Sequence, residues 1–275
     1  MTTGPPSVLA ERALAPASDA LVVDSSPAFV RGVVDVVADD GRPDVDASTP
    51  TSPEPRVRLL CTEEAADAAF ADFLTATAAV DARSADRLAV RTVRTLDASL
   101  TIADGTVRAH VSVGGEATVC DGDDETLCAV AEDAYDERWH DAEPYAFDVP
   151  GRTTLVESFA DRWPDGAETL ADLLRAADTL PRTAAFDPVT ACTLVGARHE
   201  LLTMRIGEWA EEIGLSSRTE IARSKARLVD SGLVETEREP VGVGRPRHRL
   251  VLAGDGNPEP TGAELLARGR SALRE

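Results

Sequence analysis

Basic and hydroxyl side chains are concentrated between positions 217 and 247 of the chain. A guanidinium group can bond two acceptors at once, which suits guanine edges and phosphate oxygens. The stretch from Arg198 to Leu252 holds 10 basic and 9 acidic residues, although the whole chain has a net charge of −21. This local exception predicts a surface that contacts a polyanion. Its candidate contact residues are Ser217, Arg218, Thr219, Arg223, Lys225, Arg227, Arg245 and Arg247.

Helical periodicity over Ser217–Ser231 predicts how these side chains are presented. At 100° per residue, Ile221 and Leu228 fall on one side and form a buried stripe. The opposite side carries small residues and one long arginine, which permit close approach to a DNA groove. That side consists of Thr219, Ala222, Arg223 and Ala226, with Arg227 at its edge.

The basic residues on this helix are expected to have different roles. Arg223, at the centre of the outward side, is placed to read a base edge, and Arg218 in the first turn is placed to contact a phosphate. Lys225 lies nearer the buried stripe, so we expect a phosphate or carboxylate partner for it. Glu220 suits the positive end of the helix dipole but repels phosphate.

The flanking segments predict a helix-turn-helix followed by a two-stranded ribbon. Helices are expected at Pro188–Arg198 and Gly207–Ile213, with Gly214 ending the second and Ser217 capping the third. A strand starts near Val234 and its partner is His248–Leu252. Between them, the tip Gly244–Arg247 presents two arginines that suit a minor groove or its flanking phosphates. The pattern is typical of a winged helix-turn-helix. The alternative is a winged helix that only contacts protein.

Composition narrows the class of protein further. The chain has 275 residues, with 49 acidic residues against 28 basic ones, of which only Lys225 is a lysine. Acid-rich, lysine-poor composition resembles that of haloarchaeal cytoplasmic proteins. Regular apolar periodicity argues against a disordered acidic chain. The sequence contains no apolar run of 18 residues and no leader pattern, so we expect a cytoplasmic protein without membrane contact.

Apolar runs in the first half predict an α/β domain. Strands at Ala20–Asp24, Arg56–Cys61 and Leu88–Val93 alternate with helices at Pro27–Ala38 and Glu63–Val80, which predicts a parallel sheet. Asp104-Gly105 and Gly114-Gly115 separate three shorter strands, Ser99–Ala103, Thr106–Val113 and Ala117–Cys120, which predicts an antiparallel extension. A helix over Asp123–Trp139 follows, with Leu127, Val130, Ala131 and Ala134 as its apolar stripe.

These patterns predict five segments. Residues 1–17 form a flexible N-terminus with a short helix near Val8–Leu14, residues 18–150 an α/β domain for sensing or dimerisation, and residues 151–182 a helical connector. Residues 183–253 form the winged helix-turn-helix, and residues 254–275 form a flexible tail. The expected fold class is therefore a mixed-sheet α/β domain followed by a winged helix-turn-helix domain.

An enzyme is the rival hypothesis, because Asp24-Ser25-Ser26 follows a strand where α/β folds place polar site residues. The sequence lacks a glycine-rich phosphate loop, and Asp24-Ser25-Ser26 reads more simply as a helix cap. His110 and His140 are expected on a strand surface and a helix surface. The four cysteines and four histidines show no metal-ligand spacing, so reduced, mostly buried thiols are expected. We expect no catalytic residues, metal or cofactor.

The segment Trp209–Leu252, with SRTEIARSKARLVDSGLVETE and VGRPRHRL, resembles the winged helix of the haloarchaeal TbsP-type transcriptional regulators, the TrmB-suppressor family. The resemblance covers the full chain. It implies a sequence-specific regulator of central sugar-metabolism genes that binds double-stranded promoter DNA. We also expect a homodimer, because one winged helix makes few base contacts, and a small-molecule effector.

Overall fold

The computed structural model divides the chain into two compact units, Met1–Phe147 and Asp148–Glu275. Each unit has a buried apolar core of its own. The residues that the structure describes are 6–15, 19–39, 56–113, 116–178, 187–239, 247–254 and 259–273.

The first unit is a seven-stranded mixed sheet with helices. Its elements are α1 (Pro6–Leu14), β1 (Asp19–Asp24), α2 (Pro27–Asp39), β2 (Arg56–Thr62), α3 (Glu63–Phe70), α4 (Phe73–Ser84), β3 (Leu88–Val93), β4 (Leu100–Ala103), β5 (Thr106–Val113), β6 (Glu116–Gly122), α5 (Glu125–Asp141) and β7 (Glu143–Pro144). The strand order is β6-β5-β4-β1-β2-β3-β7. Strands β1, β2 and β3 are parallel and the other pairings are antiparallel.

The sheet is mixed, as predicted from apolar strand segments that alternate with helices along the chain. β1 is buried along five of its six residues, which fits a central strand covered on both faces. The tight β4–β5 turn uses Asp104 and Gly105, whose φ angles are 49° and 70°. Positive φ at both positions is what a two-residue hairpin turn requires. The predicted Gly114-Gly115 turn lies outside the described residues.

Three expectations for the first unit need correction. The short helix expected near Val8–Leu14 is present as α1, and its packing against α2 corrects the expectation that this segment is flexible. The single helix predicted over Glu63–Val80 is two helices, since Asp72 caps α4 by accepting from the backbone N of Thr75 at 2.9 Å. The predicted apolar stripe of α5 is displaced. Ala131 is buried, but Leu127 and Val130 are 52% and 61% exposed and Ala134 is exposed.

The buried side of α5 consists instead of Cys128, Ala131, Tyr135 and Trp139. These side chains form one core cluster with Leu21 and other apolar residues of the sheet. The predicted stripe was wrong because Tyr135 and Trp139, spaced four residues apart, cover more of the sheet surface than leucine and valine at the helix start.

A further correction concerns His110, which is not a surface residue. Its side chain is 8% exposed and its Nδ1 lies 2.8 Å from Asp24 Oδ2. Its Nε2 lies 3.0 Å from Thr101 Oγ1, and its ring centroid lies 4.2 Å from that of Phe29. Asp24 Oδ1 also accepts from the backbone N of Ser26 at 2.7 Å. Asp24 therefore joins the start of α2 to β5. His140 is exposed on its helix, as predicted.

The cysteines match the expected reduced, mostly buried thiols in the described parts of the chain. Cys61, Cys128 and Cys192 are buried and Cys120 is half-buried, all as free thiols. Burial, with the charge of Asp24 as a smaller cause, raises the pKa of Cys61 to about 12. No cluster of three or more potential metal ligands occurs among the described residues. None of the described helices is long and apolar enough to cross a membrane.

The second unit contains the predicted helix-turn-helix and two-stranded ribbon. Its elements are α6 (Arg152–Arg162), α7 (Pro164–Asp178), α8 (Pro188–Arg198), α9 (Thr203–Glu212), α10 (Arg218–Asp230), β8 (Val234–Glu239), β9 (Arg247–Leu252) and α11 (Gly262–Ala272). α9 begins four residues earlier than predicted. Leu201–Met204 therefore does not form an extended piece, although Leu202 bridges to Arg249.

The segments expected to be a connector and a tail are parts of this unit. α6 and α7 pack against each other, and α7 packs against α8. α11 packs on α7, with Leu265 and Leu266 buried. Its start is fixed by Thr261 and Glu264, which form a capping box. The tail prediction is wrong because it overlooked this cap.

An aromatic cluster lies at the centre of the second unit. The Trp209 ring on α9 lies 5.2 Å from Phe159 and 5.9 Å from Trp163, and its Nε1 donates to Ser158 Oγ at 3.1 Å. Trp209 and Phe159 are fully buried. Burial of two large aromatic side chains supplies much of the apolar contact that fixes α9 on α6.

We expect His199 to make the stability of the second unit depend on pH. Burial, with the neighbouring Arg198 charge as a smaller cause, lowers the pKa of His199 below its ordinary value of 6.5. The folded state therefore favours the neutral ring, and stability should fall as pH decreases below about 6.5. In thermal unfolding between pH 7.5 and 5, His199→Gln should show a smaller decrease in Tm than the wild type. Equal decreases would contradict this assignment.

Candidate nucleic-acid interface

The turn between α9 and α10 has the expected geometry. Gly214 has a φ of 71°, a left-handed conformation that favours glycine. The backbone N of Leu215 donates to Ala210 O at 2.8 Å, and the Leu215 side chain is buried. Ser217 caps α10, since its Oγ accepts from the backbone N of Glu220 at 3.3 Å. The Ser217 hydroxyl thus fixes the start of the candidate reading helix.

α10 has the two faces that its periodicity predicted. Ile221 and Leu228 are buried, and Ser224 lies between them with 1% exposure. The opposite face is exposed along its length. It consists of Thr219, Ala222, Arg223 and Ala226. A face of this kind, with small residues around one arginine, can approach a base edge closely.

Arg218 lies where α9 and α10 come together. A Cβ placed on Gly207 would lie 3.3 Å from Arg218 Cγ, so glycine allows this close approach. Arg218 Nε donates to Glu211 Oε2 at 2.7 Å, and 60% of the Arg218 side chain is exposed. The first cation of α10 is therefore held by a carboxylate of α9.

Arg223 is paired within its own helix. Its Nη1 donates to Glu220 Oε1, one turn earlier, while 70% of the Arg223 side chain is exposed. The pair is accessible to solvent, where ion pairs are weak because water and salt screen them. The guanidinium can exchange this acceptor for another one.

Arg227 contacts α8 instead of projecting freely from the outward face. Its Nη2 donates to Asp187 Oδ2 and to Thr190 Oγ1, both at 2.8 Å. Ser224 Oγ donates to the same Thr190 oxygen at 3.2 Å. The residues Asp187, Thr190 and Ser224 were missed by the sequence reasoning. Their only signal was Asp187-Pro188, the helix-start pattern of α8, whose N-cap is Asp187.

Lys225 is half-buried beside the inward stripe, as predicted. Within the part of the chain that the structure describes, it has no carboxylate partner, so the expected partner stays a prediction. Thr219 is exposed in the first turn of α10. Its hydroxyl is available to a base or a phosphate.

The ribbon follows α10 after Gly232, whose φ is 71°. β8 and β9 pair antiparallel, with Glu239 opposite Arg247. The backbone N of Leu250 donates to Leu201 O at 3.0 Å, which fixes the ribbon beside α9. Arg247 is exposed at the first position of β9. Arg245, the other predicted tip residue, lies outside the described residues.

Among solved structures, the chain is similar to TrmBL2, described as an archaeal chromatin protein whose structure shows a novel mode of DNA binding. The sequence identity is 15% and the TM-score is 0.36. The match covers 52% of this chain and 54% of that chain, about half of each. A comparison with curated protein sequences finds no match.

Family comparisons cover nearly all of the sequence. Residues 6–150 match the family described as "Transcriptional regulator TbsP-like, N-terminal". Residues 152–270 match the one described as "Transcriptional regulator TbsP-like, C-terminal HTH domain". This second match contains α9, the Gly214 turn and α10. The chain therefore belongs to the TbsP-like transcriptional regulators, with an N-terminal α/β region and a C-terminal helix-turn-helix domain that binds DNA.

Proposed function

We propose that this regulator is sequence-specific and that α10 reads base edges in the major groove. The observation that carries the proposal is the outward face of α10, where Arg223 is exposed among Thr219, Ala222 and Ala226. Its opposite face is anchored in the helix-turn-helix core by Ile221 and Leu228. A rigid helix with one long donor and small neighbours suits bidentate contact with a guanine.

The other basic residues are assigned supporting roles. Arg218 and Lys225 are proposed phosphate contacts, and Ser217 is proposed to hold the start of α10 against the DNA backbone. Arg227, which bonds to Asp187 and Thr190, is proposed to position α10 on α8, in addition to any contact with DNA. Arg245 and Arg247 are proposed to contact a minor groove or its phosphates, as the two arginines of a wing.

Dimerisation, an effector and the genes controlled also belong to this proposal. A homodimer is supported by the small contact area of a single helix-turn-helix, which reaches few base pairs. The α/β unit is the proposed place of a metabolite effector, and central sugar-metabolism genes are the proposed targets on the strength of the family resemblance. The acidic, lysine-poor composition supports a haloarchaeal source.

Arg223→Ala tests the reading helix. We expect it to weaken binding to the preferred duplex by about 1–3 kcal/mol and to relax discrimination at one base position, because a base-edge contact is lost. Binding to a random duplex should weaken less, because only a charge, and no base contact, is lost there. The measurement is competition binding of the full chain against both duplexes.

Arg205→Ala is the matched control, because Arg205 is an exposed arginine of α9 that pairs with Glu208. It should leave the preference for one duplex over the other unchanged. If Arg223→Ala weakened binding to both duplexes equally, Arg223 would contact phosphate, and its role in base reading would be wrong.

A further inference from the structure

Two carboxylates occupy the arginines that the proposed DNA contact needs. Glu211 on α9 accepts from Arg218, and Glu220 on α10 accepts from Arg223. Both pairs are open to solvent, with the carboxylate side chains 51% and 49% exposed. In the free protein, the first turns of the reading helix are therefore close to electrically neutral.

We propose that Glu211 and Glu220 are built-in competitors of the DNA backbone, an inference that rests on the proposed function. They hold Arg218 and Arg223 in the free protein, and DNA binding exchanges each carboxylate for a phosphate or base acceptor. Glu220 has the Ser-x-x-Glu spacing of a capping box, yet its carboxylate accepts from Arg223. The Glu220 carboxylate therefore lowers the positive charge on the outward face of α10 instead of completing a capping box.

This exchange should weaken binding to random DNA more than binding to the preferred sequence. Random DNA is held almost entirely by attraction between cations and phosphates. A neutralised arginine contributes little to that attraction, and the released carboxylate then repels the backbone. Hydrogen bonds to base edges contribute to binding at the preferred sequence only. A larger share of the binding free energy therefore depends on sequence there than on random DNA.

The exchange also predicts a shallow dependence of affinity on salt. Each arginine–phosphate contact releases about 0.9 counterion from DNA. A carboxylate freed at the same moment attracts a cation, and this uptake offsets part of the release. A glutamine at position 211 or 220 cannot take up a cation, so the full release should then be observed.

The test compares Glu211→Gln, Glu220→Gln and the double variant in the full chain. Affinity for a random duplex and for the preferred duplex is measured by fluorescence anisotropy between about 0.2 and 2 M KCl. Each single variant should bind the random duplex about 3- to 10-fold more tightly at the lowest salt concentration. Each should steepen the slope of log affinity against log salt by up to about 1, and the double variant by up to about 2.

Glu212→Gln is the matched control. It removes the same charge one residue after Glu211, but Glu212 pairs with Arg162 of α6. It should leave the slope near that of the wild type. An equal change in the control would show that net charge alone acts, and unchanged slopes in the Glu211 and Glu220 variants would also overturn the proposal.

A wild type that binds no duplex would contradict the proposed DNA-binding function itself. A wild type that binds DNA, with variants whose slopes do not change, would contradict only the exchange of carboxylates. Thermal unfolding checks that each variant is folded at every salt concentration. If Glu220→Gln is unfolded because the first turn of α10 loses a favourable charge, the Glu211→Gln variant alone decides the outcome.

Discussion

Replacing Gly262 by alanine should strongly destabilise the second unit. A Cβ at this position would lie 2.3 Å from Leu173 N, 2.5 Å from Thr169 O and 2.8 Å from Asp172 C. All three are backbone atoms of α7, so no side-chain rotation can relieve the contact. The start of α11 would have to move away from α7. We expect a loss of about 3 kcal/mol or more, at the upper end of overpacking effects.

Thermal unfolding monitored by tryptophan fluorescence checks this expectation. Two of the three tryptophans, Trp163 and Trp209, lie in the second unit, and the transition that they report should fall in Tm by roughly 10 °C or more. Trp139 reports on the first unit, whose transition should not move. Ala267→Ser is the control, because Ala267 is exposed on α11. If the Tm of Gly262→Ala matched that of this control, the docking of α11 on α7 would be wrong.

Asp24→Ala should strongly destabilise the first unit. Asp24 is 3% exposed, and its two oxygens bond the backbone N of Ser26 and Nδ1 of His110. Alanine leaves the His110 ring, which is 8% exposed, and the backbone N of Ser26 without their acceptor. Ser26 is itself exposed, so water can replace the lost acceptor there more easily than at His110. A buried group that loses its partner costs about 1–3 kcal/mol, so the expected loss is about 2–4 kcal/mol, most of it at His110.

Two variants separate the causes in denaturant unfolding. Asp24→Asn keeps an acceptor for Ser26 and should cost less than alanine. Asp19→Ala removes an acidic side chain from the exposed end of the same strand and should have little effect. Equal free energies of unfolding for Asp24→Ala and Asp19→Ala would show that the buried bonds of Asp24 do not stabilise the fold.

Local signals predicted the reading helix well. The buried stripe of α10, the glycine that ends α9 and the serine that caps α10 all depend on residue types and spacings within a short segment of the sequence. Such signals can be identified without knowledge of the contacts between distant residues, and the structure agrees with them at Gly214 and Ser217. The outward position of Arg223 follows from the same periodicity.

Contacts between distant residues could not be predicted in this way. His110 and Asp24 are 86 residues apart, and Arg227 and Asp187 are 40 apart. No spacing rule links such pairs, because the sheet register and the packing of α8 on α10 bring them together. His110 therefore appeared to be a strand-surface residue, and Arg227 appeared to be available to DNA.

The C-terminal helix was missed for a different reason. Thr261 and Glu264 carried a local signal, the capping-box spacing, which the structure contains. Gly262 beside them would ordinarily weaken a helix. Glycine is needed here because of a tertiary contact, since only glycine fits against the α7 backbone.

Selection from a random pool of DNA duplexes tests the central claim, that α10 reads bases, most directly. The full-length wild type and Arg223→Ala are carried through the same rounds in parallel, and the bound pools are sequenced. We predict that the wild type enriches one sequence pattern and that Arg223→Ala loses preference at one base position within it while keeping the others. A wild-type pool that binds but stays random, or identical patterns from both proteins, would contradict this role of α10.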